Sequence, residues 1–196
     1  MSLAFLSLPA LAVVLVSSVF ILGSSSWRLR LIALGLQYIA VTLLVSFSWP
    51  LPLAAVKLVA GWMAGGVLGI SRGRSRMPLE QARWPAEWMF RLLATVLVFL
   101  AVASLVPQVV AALPQMSVMQ AWGGLSLVGM GLLSLGFSQR TFASLLGLLT
   151  FLSGFEILYA VVEESTLVAG LLAFVNLGIA LSGSYLMDQE TEEGTA

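Results

Sequence analysis

Five residues offer chemistry where chemistry is costly: Glu156, Lys57, Asn176, Gln37 and Tyr159 all fall inside or at the end of long apolar runs. Glu156 lies within "SGFEILYAVVEE" (153–164), several residues from any loop. A carboxyl group there can take up and release a proton or balance a positive charge. An ammonium can supply that charge, and amides can orient both. Near a bilayer centre a charge costs about 2.5–3.5 kcal/mol, while each Leu, Ile, Phe or Val returns about 0.3–0.6 kcal/mol. The run around Glu156 is rich enough in such residues to insert despite it. Insertion permits the carboxylate without explaining it, and an ionisable group at that depth is by default functional. Spacing places Ser153, Glu156, Tyr159, Ala160 and Glu163 in one helical stripe rising to a membrane surface, a candidate wetted track. Glu163 and Glu164 also read simply as loop residues.

Composition narrows the chemistry. Of 196 residues, 60% are hydrophobic and 9% charged, which defines a polytopic membrane protein rather than a soluble domain. The formal net charge is zero and no basic, aromatic-rich cluster exists, so nucleic acid is not an expected partner and the lipid bilayer is. Cysteine and histidine are absent, which removes disulfides, thiolate or histidine metal sites, iron–sulfur ligation and histidine-ligated haem. Neither a Ser–His pair nor a carboxylate pair beside Ser or Lys is available for hydrolysis. The sequence therefore predicts no catalytic residues, no cofactor and no enzyme activity by the chain alone.

The elements that must position these residues are all-α. Spanning the hydrocarbon takes about 20 apolar residues, and such segments recur at about 3–22, 29–47, 51–70, 88–106, 117–136, 141–162 and 166–186, giving seven transmembrane helices in one domain, 1–187. The final residues, 188–196 ("DQETEEGTA"), read as an acidic disordered tail. "MSLAFLSLPALAVVLVSSVFILG" lacks the basic start and small-residue cleavage site of a signal peptide and reads as the first span. Arg28 and Arg30, then Arg72, Arg74, Arg76, Arg83 and Arg91, then Arg140 fall at alternate connections, so they share one side. The positive-inside rule makes that side cytoplasmic, with the N-terminus outside and the C-terminus cytoplasmic, in the inner (cytoplasmic) membrane as a multi-pass protein. "LGSSSWR" after helix one and "LGFSQR" after helix five hint that helices one to three and five to seven are parallel repeats joined by helix four.

Lys57, in "LAAVKLVAGWMAGG", is the only lysine. Counted along their helices, Lys57 and Glu156 both lie roughly 8–10 Å below the outer boundary, close enough in depth to pair. Alternatively Lys57 snorkels to the interface. Gly61, Gly65 and Gly69 repeat at a spacing that lets another helix approach closely. Asn176, in "LVAGLLAFVNLGIALSG", lies nearest the midplane on a face with Ala173 and Ala180, so a helix is expected to pack there. Gln37 is set similarly between Ala33 and Ala40. For both amides, interhelical hydrogen bonding is the alternative to a role in an ion path. A retinal reading fails, because the last helix carries Asn176 where a Schiff-base lysine is expected and Lys57 has no carboxylate beside it in its own helix.

The order of elements, "SSSWRLR" after helix one, Lys57 in helix three, the long basic loop, and "GFSQRTFASLLG" leading to "GFEILYA" together resemble the E component of membrane-bound, formate-hydrogenlyase type hydrogenases. The last three helices are similar to the K subunit of respiratory complex I and the C subunit of multisubunit sodium/proton antiporters. "LVAGLLAFVNLGIALSGSYL" looks like the third helix of the K subunit. The resemblance implies an integral subunit of a complex I-like, hydrogenase-like or antiporter-like assembly, packed beside large antiporter-type subunits. It also implies that Glu156 matches the first of two buried glutamates in a proton-conducting axis. The second falls on Asn176, which cannot titrate, and the spacing from Arg140 to Glu156 is longer than the family pattern. The expectation is thus a proton or sodium path through Glu156, Lys57, Asn176, Gln37 and Tyr159. The alternatives are a stand-alone permease for a small solute and a purely structural subunit.

Overall fold

The computed structural model describes residues 4–74 and 85–193. Residues 1–3, the segment with Arg76 and Arg83, and 194–196 lie outside that description. Seven helices follow in order: α1 (Ala4–Gly23), α2 (Trp27–Val45), α3 (Leu51–Arg74), α4 (Pro85–Ala112), α5 (Val118–Phe137), α6 (Thr141–Tyr159) and α7 (Thr166–Glu193). Each is long and apolar enough to cross a membrane, and no strand occurs among the described residues. The expected all-α, seven-helix, multi-pass fold is what the chain adopts.

Local chemistry sets several of the ends. Ser26 caps α2 by accepting from the Leu29 amide at 3.2 Å. Ser117 opens α5 with a capping box: its hydroxyl accepts from the Gln120 amide, and the Gln120 side chain accepts from the Ser117 amide, both at 3.1 Å. Several ends differ from the sequence reading, among them that of α3, which runs to Arg74 rather than about 70, and the start of α4, at Pro85 rather than 88. Helix four runs through Pro107 to Ala112 instead of stopping near 106. In hydrocarbon an open backbone costs more than the one hydrogen bond that proline removes. Helix six ends at Tyr159, not 162, so Glu156 sits about one turn from its end. Helix seven continues to Glu193, so 188–193 are helical rather than a disordered tail, and Thr141 at the start of α6 donates a hydrogen bond to Glu190.

Arg28, Arg30, Arg72, Arg74, Arg91 and Arg140 all gather at one end of the bundle. There Arg30 Nε donates to the Ser24 carbonyl at 2.6 Å, and Arg91 reaches the Leu22 carbonyl at 3.3 Å. At the opposite end the Trp49 indole donates to the Glu163 carbonyl at 2.9 Å, tying the α2–α3 connection to the α6–α7 connection.

α5 and α6 form the most intimate pair, α3 lies along α7, and α4 sits at the edge against α5 and α1. Every pair of helices in substantial contact maps onto another such pair, or onto itself, when α1, α2 and α3 are exchanged with α5, α6 and α7 and α4 is left in place. That is the symmetry which two parallel three-helix repeats require. It places α2, α3, α6 and α7 around a common centre.

Candidate functional site

Four helices deliver one polar side chain each to that centre. Lys57 of α3 and Glu156 of α6 form an ion pair, with side chains 5% and 3% exposed. Asn176 of α7 donates to Glu156 Oε1 at 2.8 Å, and its second N–H reaches the Leu172 carbonyl at 3.1 Å. Its own Oδ1 accepts from the Tyr38 hydroxyl of α2 at 3.1 Å. Because a backbone carbonyl can only accept, the Leu172 contact fixes which way the Asn176 amide points, and hence that Glu156 receives an N–H. The Lys57 ammonium also stands 5.6 Å from the centre of the Tyr38 ring, a favourable cation–π distance.

The supporting residues hold this geometry. Gly61, one turn below Lys57, lies under the Tyr38 ring, and a Cβ there would collide with it. This gives a specific reason for glycine at that position. Gly65 and Gly69 are less constrained: an added Cβ would stand 3.9 Å from Leu34 and 3.2 Å from Leu31. Ala180 is fully buried in the apolar layer below the centre, while Ala173, half-buried, borders a small cavity of about 10 Å³ beside Lys57, Glu156 and Asn176. Ser153, one turn below Glu156, is a further polar neighbour of Tyr38 and donates to the Leu149 carbonyl at 2.9 Å.

Lys57, Glu156 and Asn176 therefore come together, and Lys57 points into the bundle rather than snorkelling. Tyr159 does not join them. It stacks on the exposed ring of Phe155, centroids 5.8 Å apart, because a three-residue step from Glu156 carries it round toward the bundle surface. Glu163 is an exposed loop residue whose backbone, not its carboxylate, is used. Gln37 is completely buried but stands apart from the network, and neither amide atom finds a hydrogen-bond partner among the described residues. Such a group costs about 1–3 kcal/mol. Gln37→Leu is accordingly expected to leave the fold intact and to raise the thermal unfolding midpoint in detergent; a lowered midpoint would show that the amide is engaged.

Tyr38 is the member that the sequence reading did not single out, having stopped at its neighbour Gln37. A signal existed. Tyr38 lies eleven residues into α2, too deep for the interfacial aromatic belt, so its hydroxyl needs a partner inside the bundle.

Chemically, the centre holds a single carboxylate already engaged by an ammonium. No group of three acidic residues converges among the described residues. What the arrangement can do is exchange or balance charge: a proton can pass between Oε2 and Nζ, or one can be taken up from outside, while Asn176 and Tyr38 hold the acceptor in place. Fold and site together define a seven-helix membrane-spanning bundle built around a buried, hydrogen-bonded ion pair. No protein family, no curated protein and no solved structure matches the chain.

Proposed function

We propose that the chain is an integral subunit of a complex I-like, hydrogenase-like or antiporter-like assembly, and that the Lys57–Glu156 pair is a step in its proton or sodium path. The observation that carries this reading is the pair itself: two opposite charges within membrane-spanning helices, away from lipid, with the carboxylate's other oxygen held by Asn176. Charges at such depth are expensive, and their usual use is in ion movement. In this reading the arginine-bearing end faces the cytoplasm, the N-terminus is outside, the membrane is the cytoplasmic one, and large antiporter-type subunits are the neighbours. Any redox chemistry belongs to those partners, since this sequence has neither histidine nor cysteine.

The cavity beside the pair, about 10 Å³, suits a water or a proton and not a solute, for which pockets of about 300 Å³ or more are usual. That disfavours the stand-alone permease. The scaffold reading has one observation in its favour, the full hydrogen bonding of Asn176, which suits a structural rivet equally well. Glu156→Gln, read beside the double variant with Lys57→Met that leaves no charge stranded, separates the two. The amide cannot titrate, so ion translocation measured in membranes of the native host should fall by at least tenfold, about 1.4 kcal/mol or more, while the tagged subunit still co-purifies with its partners. Undiminished translocation would leave only the scaffold.

A further inference from the structure

The surroundings of the ion pair are strongly unequal along the membrane normal. Toward the arginine-bearing end Ser153 stands one turn below Glu156, and beneath it α2, α3, α6 and α7 close with a layer in which buried apolar side chains predominate. Leu34, Leu68, Leu146, Leu149 and Ala180 are each no more than 1% exposed. Toward the arginine-free end the small cavity begins at Lys57, Glu156 and Asn176 and continues past the half-buried Leu53 and Ala173 to Trp49. Trp49 is 4% exposed and lines the cavity, held there by its hydrogen bond to the Glu163 carbonyl.

Water follows polar, roomy sites and avoids dry apolar ones. We propose that the Lys57–Glu156 centre is a one-sided site that takes water, and with it a proton as hydronium, only from the arginine-free face, past Trp49, while the leucine layer seals it from the arginine-bearing face. This builds on the ion-path reading by fixing the side from which the pair is reached. A charge leaving the pair then has to return the same way or pass sideways toward a neighbouring helix or subunit, because the leucine layer closes the direct route across the chain. The Trp49 indole is the cover, and its single hydrogen bond joins the two connections whose separation opens the cavity.

The absence of cysteine makes the test direct. Ala173→Cys puts one thiol on the cavity wall, and Leu53→Cys puts one on the facing helix. Ser25→Cys reports the arginine-bearing surface, and the exposed Val162→Cys reports the other. Silver ion, membrane-impermeant and about the size of a hydronium, is applied to right-side-out and inverted vesicles, and the thiols it has blocked are counted after unfolding. Silver reacts with thiolate, which forms in water and not in hydrocarbon. Both cavity thiols are expected to react from the face that labels Val162→Cys and not from the face that labels Ser25→Cys. Ala180→Cys, within the sealing layer, is expected to react from neither. Adding Trp49→Phe, which keeps a ring but loses the N–H, should speed cavity labelling by up to about tenfold, the worth of one hydrogen bond. Labelling of the cavity thiols from the Ser25→Cys face, or from no face, or of Ala180→Cys from any face, overturns one-sided access, and an unchanged rate in Trp49→Phe removes Trp49 as the cover. Labelling needs no ion transport, so a null result for Glu156→Gln in translocation would end the ion-path reading without touching this one.

Discussion

Lys57→Met is expected to destabilise the bundle by about 3–5 kcal/mol, whereas Lys57→Met combined with Glu156→Gln is expected to recover most of that loss. The single change removes the ammonium and leaves a carboxylate 3% exposed among four helices, with Asn176 as its remaining partner. The carboxylate must then either stay charged without compensation or bind a proton, and both cost free energy relative to the pair. In the double variant no charge remains, a glutamine amide can still accept from Asn176, and methionine fills the space of the lysine stem. Thermal or steric-trap unfolding of the four proteins of the cycle gives the coupling energy. Because each single change strands one buried charge and the double change removes both, that coupling should exceed the about 0.5–3 kcal/mol usual for touching residues. Near-additivity would mean that the two charges do not sense one another.

The same cycle separates stability from use. Desolvation makes a buried ion pair a weak source of stability compared with an apolar pair of similar volume, so a double variant that folds well but no longer supports ion movement would show that the charges are kept for function. A structural rivet predicts the reverse: removing both charges would alter folding and leave ion movement unchanged.

Much of this was legible from residue type and position, and the gaps have physical causes. The seven spans follow from hydropathy because the bilayer forces every backbone group into a helix, and the ends missed at Ala112 and Glu193 are those where proline or charge suggested a break that the helix overrides. The meeting of Lys57 and Glu156 was foreseeable from matched depth. Their joining to Asn176 rather than Tyr159 was not, because which part of a helix faces inward depends on neighbours that periodicity does not identify when apolar residues surround the helix on all sides. Gln37 and Tyr38 make the point within one helix. Both are fully buried, yet only the phenol reaches a partner, and sequence alone ranks the amide higher.

Helix packing was the least legible feature, and it yields the second large expected effect. Glycines spaced by four in α3 look like the tight interface, but the closest backbone approach is between α5 and α6. An added Cβ at Gly131 would stand 2.5 Å from the Phe151 amide nitrogen, and one at Gly154 would stand 2.6 Å from both the Gly124 carbonyl oxygen and the Val128 amide nitrogen. Those are backbone atoms, so no rotamer change relieves the clash and the helices must separate. Glycine is required there because only a missing side chain allows two backbones to lie that close. Gly131→Ala is therefore expected to cost at least the about 1–3 kcal/mol typical of overpacking, and Gly131→Leu to abolish recovery of folded protein. Gly65→Ala, whose new methyl would meet Leu34 at an ordinary 3.9 Å, should change stability little. α6 also carries Glu156, so even the milder Gly131→Ala should shift the carboxylate relative to Lys57 and reduce the coupling measured in the double-variant cycle. Equal tolerance at Gly131 and Gly65 would contradict the α5–α6 contact as the rigid wall on which α6 rests.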